Sequence, residues 1–331
     1  MAPRKDEDMR TTALLLMALT LMTGCKRNMD EVPDARPSAY YWQTRFELNE
    51  RERKYMEQER IGKLYVRLFD IVATGQGPMP NATISFEEPL PEGVTVVPTV
   101  FVDYTLFREA VDVEKLAQQT VRRIAQMGET HGFRYDELQF DCDWTAKTQE
   151  RYYDFLRAVA RADTGLTLSA TIRLHQLSMT PPPVRYGALM LYNTGDFRKA
   201  WEGRNPILDA EDVVPYMNYL AGYALPLCAC YPNFEWKLLF RGEEFVGLLY
   251  DEDVSDTTMY MPVDEGTYQA IGMKNIAVAK GRPFLHVAPG DRVRVWRSET
   301  EQIAKVRAMV ESRRPHINDQ TIVYHLGGEG M

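Results

Sequence analysis

Little in this chain points to redox, nucleotide or metal chemistry. Cysteine is scarce: four in 331 residues, at positions 25, 142, 228 and 230. Beyond Cys25 three remain, an odd number that cannot all pair. Cys228 and Cys230 lie two apart on an expected strand, pointing the same way but spaced too widely for easy bonding. They read as small buried apolar side chains. No His or Cys cluster has metal-ligand spacing. A Gly-x-Ser-x-Gly elbow, a Walker loop and a dinucleotide fingerprint are all missing, so no cofactor is expected. Gly327-Gly328 is a flexible tail rather than a phosphate loop, because no helix comes after it. An excess of positive charge is also lacking. The net charge of -8 argues against nucleic acid as a partner. There is no internal repeat, no low-complexity tract, and no segment of roughly 20 apolar residues to span a bilayer.

What is present begins at the N-terminus. Arg4, Lys5 and Arg10 precede an uncharged apolar run over 12–22, which has the length of a signal-peptide core. It ends in Leu21-Met22-Thr23-Gly24-Cys25, which resembles the bacterial lipobox. That resemblance implies a signal peptide over 1–24 and a mature protein lipidated on Cys25. Several acyl chains anchor stably where one does not. A short buried helix that happens to end in Cys is the alternative. Lys26, not Asp, comes after the cysteine; by the same resemblance this places the anchor at the outer membrane of the cell envelope. Residues 25–38 read as a tether, with charges of both signs and almost nothing apolar.

The remainder, 39–331, is 293 residues long, which suits one α/β barrel. Strand-like runs fall at 40–46, 63–70, 95–103, 137–143, 167–175, 188–193, 225–231 and 321–326. Helix-like runs fall at 49–60, 113–128, 148–162, 210–222 and 299–312. Eight strands in βα order predict a closed (β/α)8 barrel of the TIM type. The signals for helices two, five and six are weak, which leaves an open doubly wound sheet as the alternative. The stretch 232–298 does not fit a plain barrel. Its β-like pieces predict a β-rich insertion between strand seven and the last helix. It would sit at the C-terminal mouth, where barrel enzymes keep their sites.

The polar faces of the strands carry the functional signal. Strand side chains alternate, so in the fourth run Leu138, Phe140 and Cys142 face the helices. Gln139, Asp141 and Asp143 then face the barrel interior. The fifth run places Ser169, Thr171, Arg173 and His175 inside, and the second adds Arg67. Barrel interiors are normally apolar, and buried charges cost several kcal/mol each unless paired. These groups therefore form either a structural ion-pair network or a wet, ligand-binding mouth. Asp70 and Asp103 end strands and could reach the mouth or cap the next segment of chain. Glu235, after strand seven, is a substrate-binding candidate or a solvated loop acid. Tyr41, Trp42, Trp144, Tyr192, Trp236 and Trp296 lie near strand ends, where rings could stack on sugar C–H faces.

Asp136-Glu-Leu-Gln-Phe-Asp-Cys-Asp143 resembles the Asp-Gly-x-Asp-x-Asp-x-Glu signature of chitinase-type, family 18 glycosidases. Met190-Leu-Tyr-Asn193 resembles their Met-x-Tyr-Asp. The resemblance implies hydrolysis of a glycosidic bond, with Asp143 as general acid. Asp141 and Tyr192 would hold the substrate's acetamido group, which acts as nucleophile in that family. Gln139, Asn193, Arg173, His175, Arg67, Trp144 and Glu235 are the expected substrate contacts. Two positions depart from the pattern. Asp143 in place of Glu is shorter by about 1.5 Å, enough to impair proton transfer. Gln139 in place of Asp removes a charge. Over most of the mature chain the sequence also resembles a family of bacterial lipoproteins with a glycosidase-like barrel. A non-catalytic carbohydrate-binding lipoprotein, or an envelope assembly protein, on the same scaffold is the competing expectation. The expected partners are a glycan or other small-molecule ligand and, through Cys25, a membrane.

Overall fold

The computed structural model describes residues 32, 36–201, 203–250, 252–277 and 284–326. The expected signal peptide, Cys25, most of the tether and Gly327-Gly328 lie outside them. Eight parallel strands form a closed ring: β1 Ser38–Tyr41, β2 Lys63–Thr74, β3 Thr95–Val102, β4 Glu137–Asp141, β5 Thr167–Ile172, β6 Tyr186–Met190, β7 Leu227–Pro232 and β8 Thr321–Tyr324. Each pairs with its neighbours in sequence, and β1 lies between β2 and β8, which closes the barrel. The open-sheet alternative is thereby excluded.

Local chemistry accounts for the helices. Helix α1, Glu50–Gln58, opens on a capping box between Asn49 and Glu52. In α2, Val113–His131, the Asp112 carboxylate accepts from the Lys115 N–H at 3.0 Å. Gly132, at φ +73°, ends that helix in the left-handed conformation. Helix α3 spans Gln149–Ala162. The single helix expected over 210–222 is broken: α4, Ala210–Val213, gives way to a 3-10 turn at Val214–Tyr216 and then to α5, Met217–Gly222. Pro215 lies in that turn and has no N–H to donate to a continuous helix. Helix α6 spans Thr300–Arg313. Two connections carry no α-helix at all. After β2 the chain turns back as an antiparallel hairpin, Gly77–Asn81, and after β5 it makes a 3-10 helix, Leu174–Ser178.

The expected alternation on β4 holds. Leu138, Phe140 and Cys142 pack outward against Leu116, Ile124, Phe155 and Leu156 of α2 and α3. Glu137, Gln139 and Asp141 are buried polar groups on the other face. The insertion is an antiparallel five-stranded sheet built from Glu244–Leu249, Glu235–Arg241, Arg292–Arg297, Thr267–Ala270 and Tyr260–Asp264, in that spatial order. Leu238, Phe240 and Trp296 of this sheet join the cluster of interior barrel residues, so the insertion is packed onto the mouth. A short hairpin, Lys274–Ile276 with Leu285–Val287, completes it.

Candidate functional site

Two levels of polar side chains fill the barrel. The lower lies at the N-terminal ends of the strands. There Glu137 accepts from Lys63 Nζ at 2.7 Å, Ser169 Oγ at 2.6 Å and Tyr186 Oη at 2.5 Å. Tyr186 and Tyr65 share a hydroxyl contact at 2.7 Å, and Gln320 Nε2 donates to Tyr65 at 3.1 Å. Above this layer Tyr40 donates to Gln139 Oε1 at 2.5 Å, and Gln139 Nε2 donates to Ser169 at 3.3 Å. Gln139 is thus wholly enclosed and bound to protein, one level beneath the mouth.

The upper level begins at Asp141, which is 3% exposed. Its Oδ1 accepts from Thr171 Oγ1 at 2.6 Å. Burial pushes the Asp141 carboxyl up to about 6, with nearby Asp143 adding and Arg173, Thr171 and Arg67 opposing. Arg173 forks onto Asp143, with Nε to Oδ1 at 2.5 Å and Nη2 to Oδ2 at 3.4 Å. Burial alone lowers the Arg173 pKa, but Asp141 and Asp143 outweigh it and raise it. The Asp143 side chain keeps 42% of its surface exposed, so it stands at the opening. Arg67 pairs with Asp70 through Nε to Oδ1 at 2.7 Å and lies 5.4 Å from the Trp42 ring centre.

Tyr192 stacks on Tyr324, with centroids 4.4 Å apart and planes 11° from parallel. Its hydroxyl is buried, with the Cys230 thiol as its hydrogen-bonding neighbour. Burial raises its pKa, helped by Cys230, Tyr324 and Tyr40 and opposed by Arg173. Trp42 meets Tyr324 and Tyr40 edge-on at 5.9 and 5.6 Å. The mouth is therefore an aromatic wall of Trp42, Tyr324 and Tyr192 beside the Asp141, Asp143 and Arg173 group.

Several expected contacts lie elsewhere. The strand expected over 167–175 stops at Ile172, because the Arg173 N–H is taken by Gln176 Oε1 at 2.8 Å and a 3-10 turn begins. Gln176 Nε2 in turn donates to the Trp144 carbonyl at 3.0 Å, which ties this turn to the end of β4. His175 consequently sits exposed on the rim, and its partial burial lowers its pKa. Trp144 is not at the mouth. It is fully buried and packs edge-on against Tyr153 of α3 at 5.4 Å, because the chain leaves the barrel after Asp141. Glu235 lies in the insertion sheet, bound to Arg297 Nε at 2.8 Å and Lys237 Nζ at 3.0 Å. Asn193 is exposed beyond the end of β6, at φ +54°. Asp103 caps the 3-10 helix Tyr104–Arg108 by accepting from the Thr105 N–H at 2.9 Å.

Sequence reasoning overlooked Tyr324 and Tyr40. The alternation Ile322, Tyr324 along the last strand was the available signal for the first. Burial pushes the Cys228 and Cys230 thiols up, as suits unreactive interior side chains. Among the described residues no group of three or more His, Cys, Asp or Glu side chains is placed to hold a metal ion.

No protein-family model and no curated protein matches the chain. Among solved structures it is similar to the spore cortex-lytic enzyme SleL of Bacillus cereus, at 14% identity and a TM-score of 0.51, over 88% of this chain and 71% of that one. It also overlaps the C-terminal domain of ChiA of Legionella pneumophila, at 14% identity and a TM-score of 0.32, over 48% of this chain and 58% of that one. A third overlap is with the xylanase and alpha-amylase inhibitor protein of Scadoxus multiflorus, at 11% identity and a TM-score of 0.38, over 60% of this chain and 80% of that one. At 14% identity the likeness to SleL is one of fold alone, and the other two are too partial to add to it. The chain thus has a distant structural similarity to the barrel of a cortex-lytic enzyme. A shared barrel does not by itself assign chemistry.

Proposed function

We propose that the barrel mouth binds a glycan without cleaving it, in a protein held at the cell envelope by lipid on Cys25. The observation that carries this reading is the Arg173 fork on Asp143. The residue at the acid position has both oxygens engaged as acceptors, an arrangement that offers no proton to a leaving oxygen. The aromatic wall supplies stacking surface for sugar C–H faces, and Asp143 and Arg173 present polar groups at the opening.

A second reading, hydrolysis with Asp143 as general acid, is favoured by one specific observation. Asp141, beside Asp143, is pushed up to about 6, so its carboxyl can hold a proton at mildly acidic pH. A bound glycan that drew Arg173 away would then leave Asp143 to work. Asp141 and Tyr192 would orient the substrate.

A glycan array and a reducing-end assay on residues 26–331 separate the two. Binding without cleavage, retained in Asp143→Asn, supports the first. Cleavage that falls roughly 100-fold in Asp143→Asn, the usual scale for losing a general acid, supports the second. If no glycan binds, both readings fail.

A further inference from the structure

The ladder between β4 and β5 stops short of the residues that face the mouth. Its last rung joins Phe140 to Ala170, whereas Asp143 and Arg173 lie beyond the ends of their strands, at Asp141 and Ile172. There the Gln176 side chain takes over. It comes from the 3-10 helix after β5 and is fully buried. Its Oε1 accepts from the Arg173 N–H at 2.8 Å. Its Nε2 donates to the Trp144 carbonyl at 3.0 Å and lies 3.4 Å from the Cys142 carbonyl. Those two carbonyls flank Asp143 in the chain. One amide thus grips the backbone on either side of Asp143 and at Arg173 itself. A primary amide donates and accepts at once, as a peptide group does, so it can replace the rung that the ladder no longer supplies. Gln176 is held in turn. Its own N–H donates to the Arg173 carbonyl at 3.0 Å, and Leu174 and Leu177 beside it pack with Ile172 and Leu189 in one apolar cluster.

We infer that Gln176 is the positioning residue of the mouth: its buried amide sets the spacing of Asp143 and Arg173 without touching the ligand. The fork between those two side chains does not hold itself. Both are partly exposed, so water competes for their charges and the pair alone contributes little. The bonds of Gln176 are sealed from that competition. Order therefore passes from the amide to the backbone and from the backbone to the fork. Groups that meet a ligand together must be held to within about 0.5 Å, which a buried clamp provides. The Arg67–Asp70 fork supplies the contrast. Its residues lie within β2, in register with Thr99 and Phe101 of β3, so the ladder holds them and Gln176 does not. That the Asp143–Arg173 spacing serves a glycan rests on the mouth-binding reading; that Gln176 sets the spacing does not.

The test uses the full chain with isotope-labelled arginine. Solvent exchange of the Arg173 Nε proton is read by NMR and divided by that of Arg67 in the same sample; Arg173→Lys and Arg67→Lys assign the two signals. Gln176→Met keeps the volume and loses both bonds, and the ratio should rise at least about fivefold, the scale of one net hydrogen bond. Gln176→Glu is the conservative variant. Burial keeps its carboxyl protonated at about pH 5, where it accepts and donates as the amide does, so the ratio at that pH should return to the wild-type value. An unchanged ratio in Gln176→Met, whether both rates stay or both rise, overturns the inference, because a general loosening reaches both forks. One measurement needs no variant: in wild type the Gln176 Nε2 protons should be protected at least as well as the Arg173 Nε proton, each relative to the free amino acid. An amide that opens more readily than the fork overturns the inference as well. Binding of a chitin-derived tetrasaccharide is read in the same samples and should weaken about fivefold in Gln176→Met. A raised ratio with unchanged affinity overturns the link to the ligand. Wild type that does not bind the tetrasaccharide counts against the mouth-binding reading alone, and the exchange ratio still decides the role of Gln176.

Discussion

The two polar levels inside this barrel are built from similar side chains and are finished differently. At the closed end, Glu137 takes three hydrogen bonds and faces a lysine, with two tyrosines and a serine sealing the group from water. At the mouth, Asp141 accepts from Thr171, Tyr192 has only the Cys230 thiol beside its hydroxyl, and Asp143 stands half in solvent. A satisfied network of buried charge is a structural element, costly to break and indifferent to ligands. An incomplete one leaves bonding capacity for something that arrives. The contrast separates interior polarity that holds the barrel from interior polarity that can act, a distinction the residue types alone do not make.

The sharpest way to break the contrast is Glu137→Ala. Taking the Glu137 carboxylate away from buried Lys63 costs about 3–5 kcal/mol, read by urea denaturation. A cost below about 1 kcal/mol would mean the closed-end network is not structural. Next in size is the pH response of Asp141. Its folded pKa lies above the unfolded value near 3.9, so the folded state binds the extra proton between them. Its contribution is therefore fully present below about pH 4 and is lost as pH rises through about 6, on the order of 3 kcal/mol. Asp141→Asn should flatten stability over that window, and an unchanged pH profile would remove the assignment. Asp103→Ala should cost about 1 kcal/mol through the lost cap and leave glycan binding as it was. Weaker binding would return Asp103 to the mouth. The smallest effect on stability belongs to Tyr192→Phe, within about 0.5 kcal/mol, because the hydroxyl's neighbour is the Cys230 thiol, a weak hydrogen-bond partner. A loss above about 1 kcal/mol would show that the contact with Cys230 holds the ring in place.

Period-two alternation made the barrel legible, because Leu138, Phe140 and Cys142 had to face helices if Gln139 and Asp141 pointed to the interior. It also brought Asp141, Asp143 and Arg173 together. It failed where strands end. Arg173 and His175 read as strand neighbours two apart, but a side-chain bond from Gln176 turns the backbone between them. Trp144 failed for the same reason, since only the exit path of the chain after Asp141 decides that its ring turns into the helix layer. Glu235 was placed by position after strand seven, and its partner Arg297, sixty-two residues on, could not be inferred from local pattern. Closed-end residues such as Lys63 carried no signal at all, because a lone lysine at a strand start looks solvated.

The ring has a temporal consequence. Strand β1 is held on one side by β8, with Ser38 opposite Ile322, nearly the whole chain apart. Until the last strand leaves the ribosome, β1 has an open edge and the interior charges have no lid. Pairings this distant in sequence form slowly, and the waiting edge is a template for other chains. A protein stopped before residue 321 would therefore be an aggregation hazard instead of a shorter working version. Making this protein thus depends on keeping the unfinished chain apart from its copies.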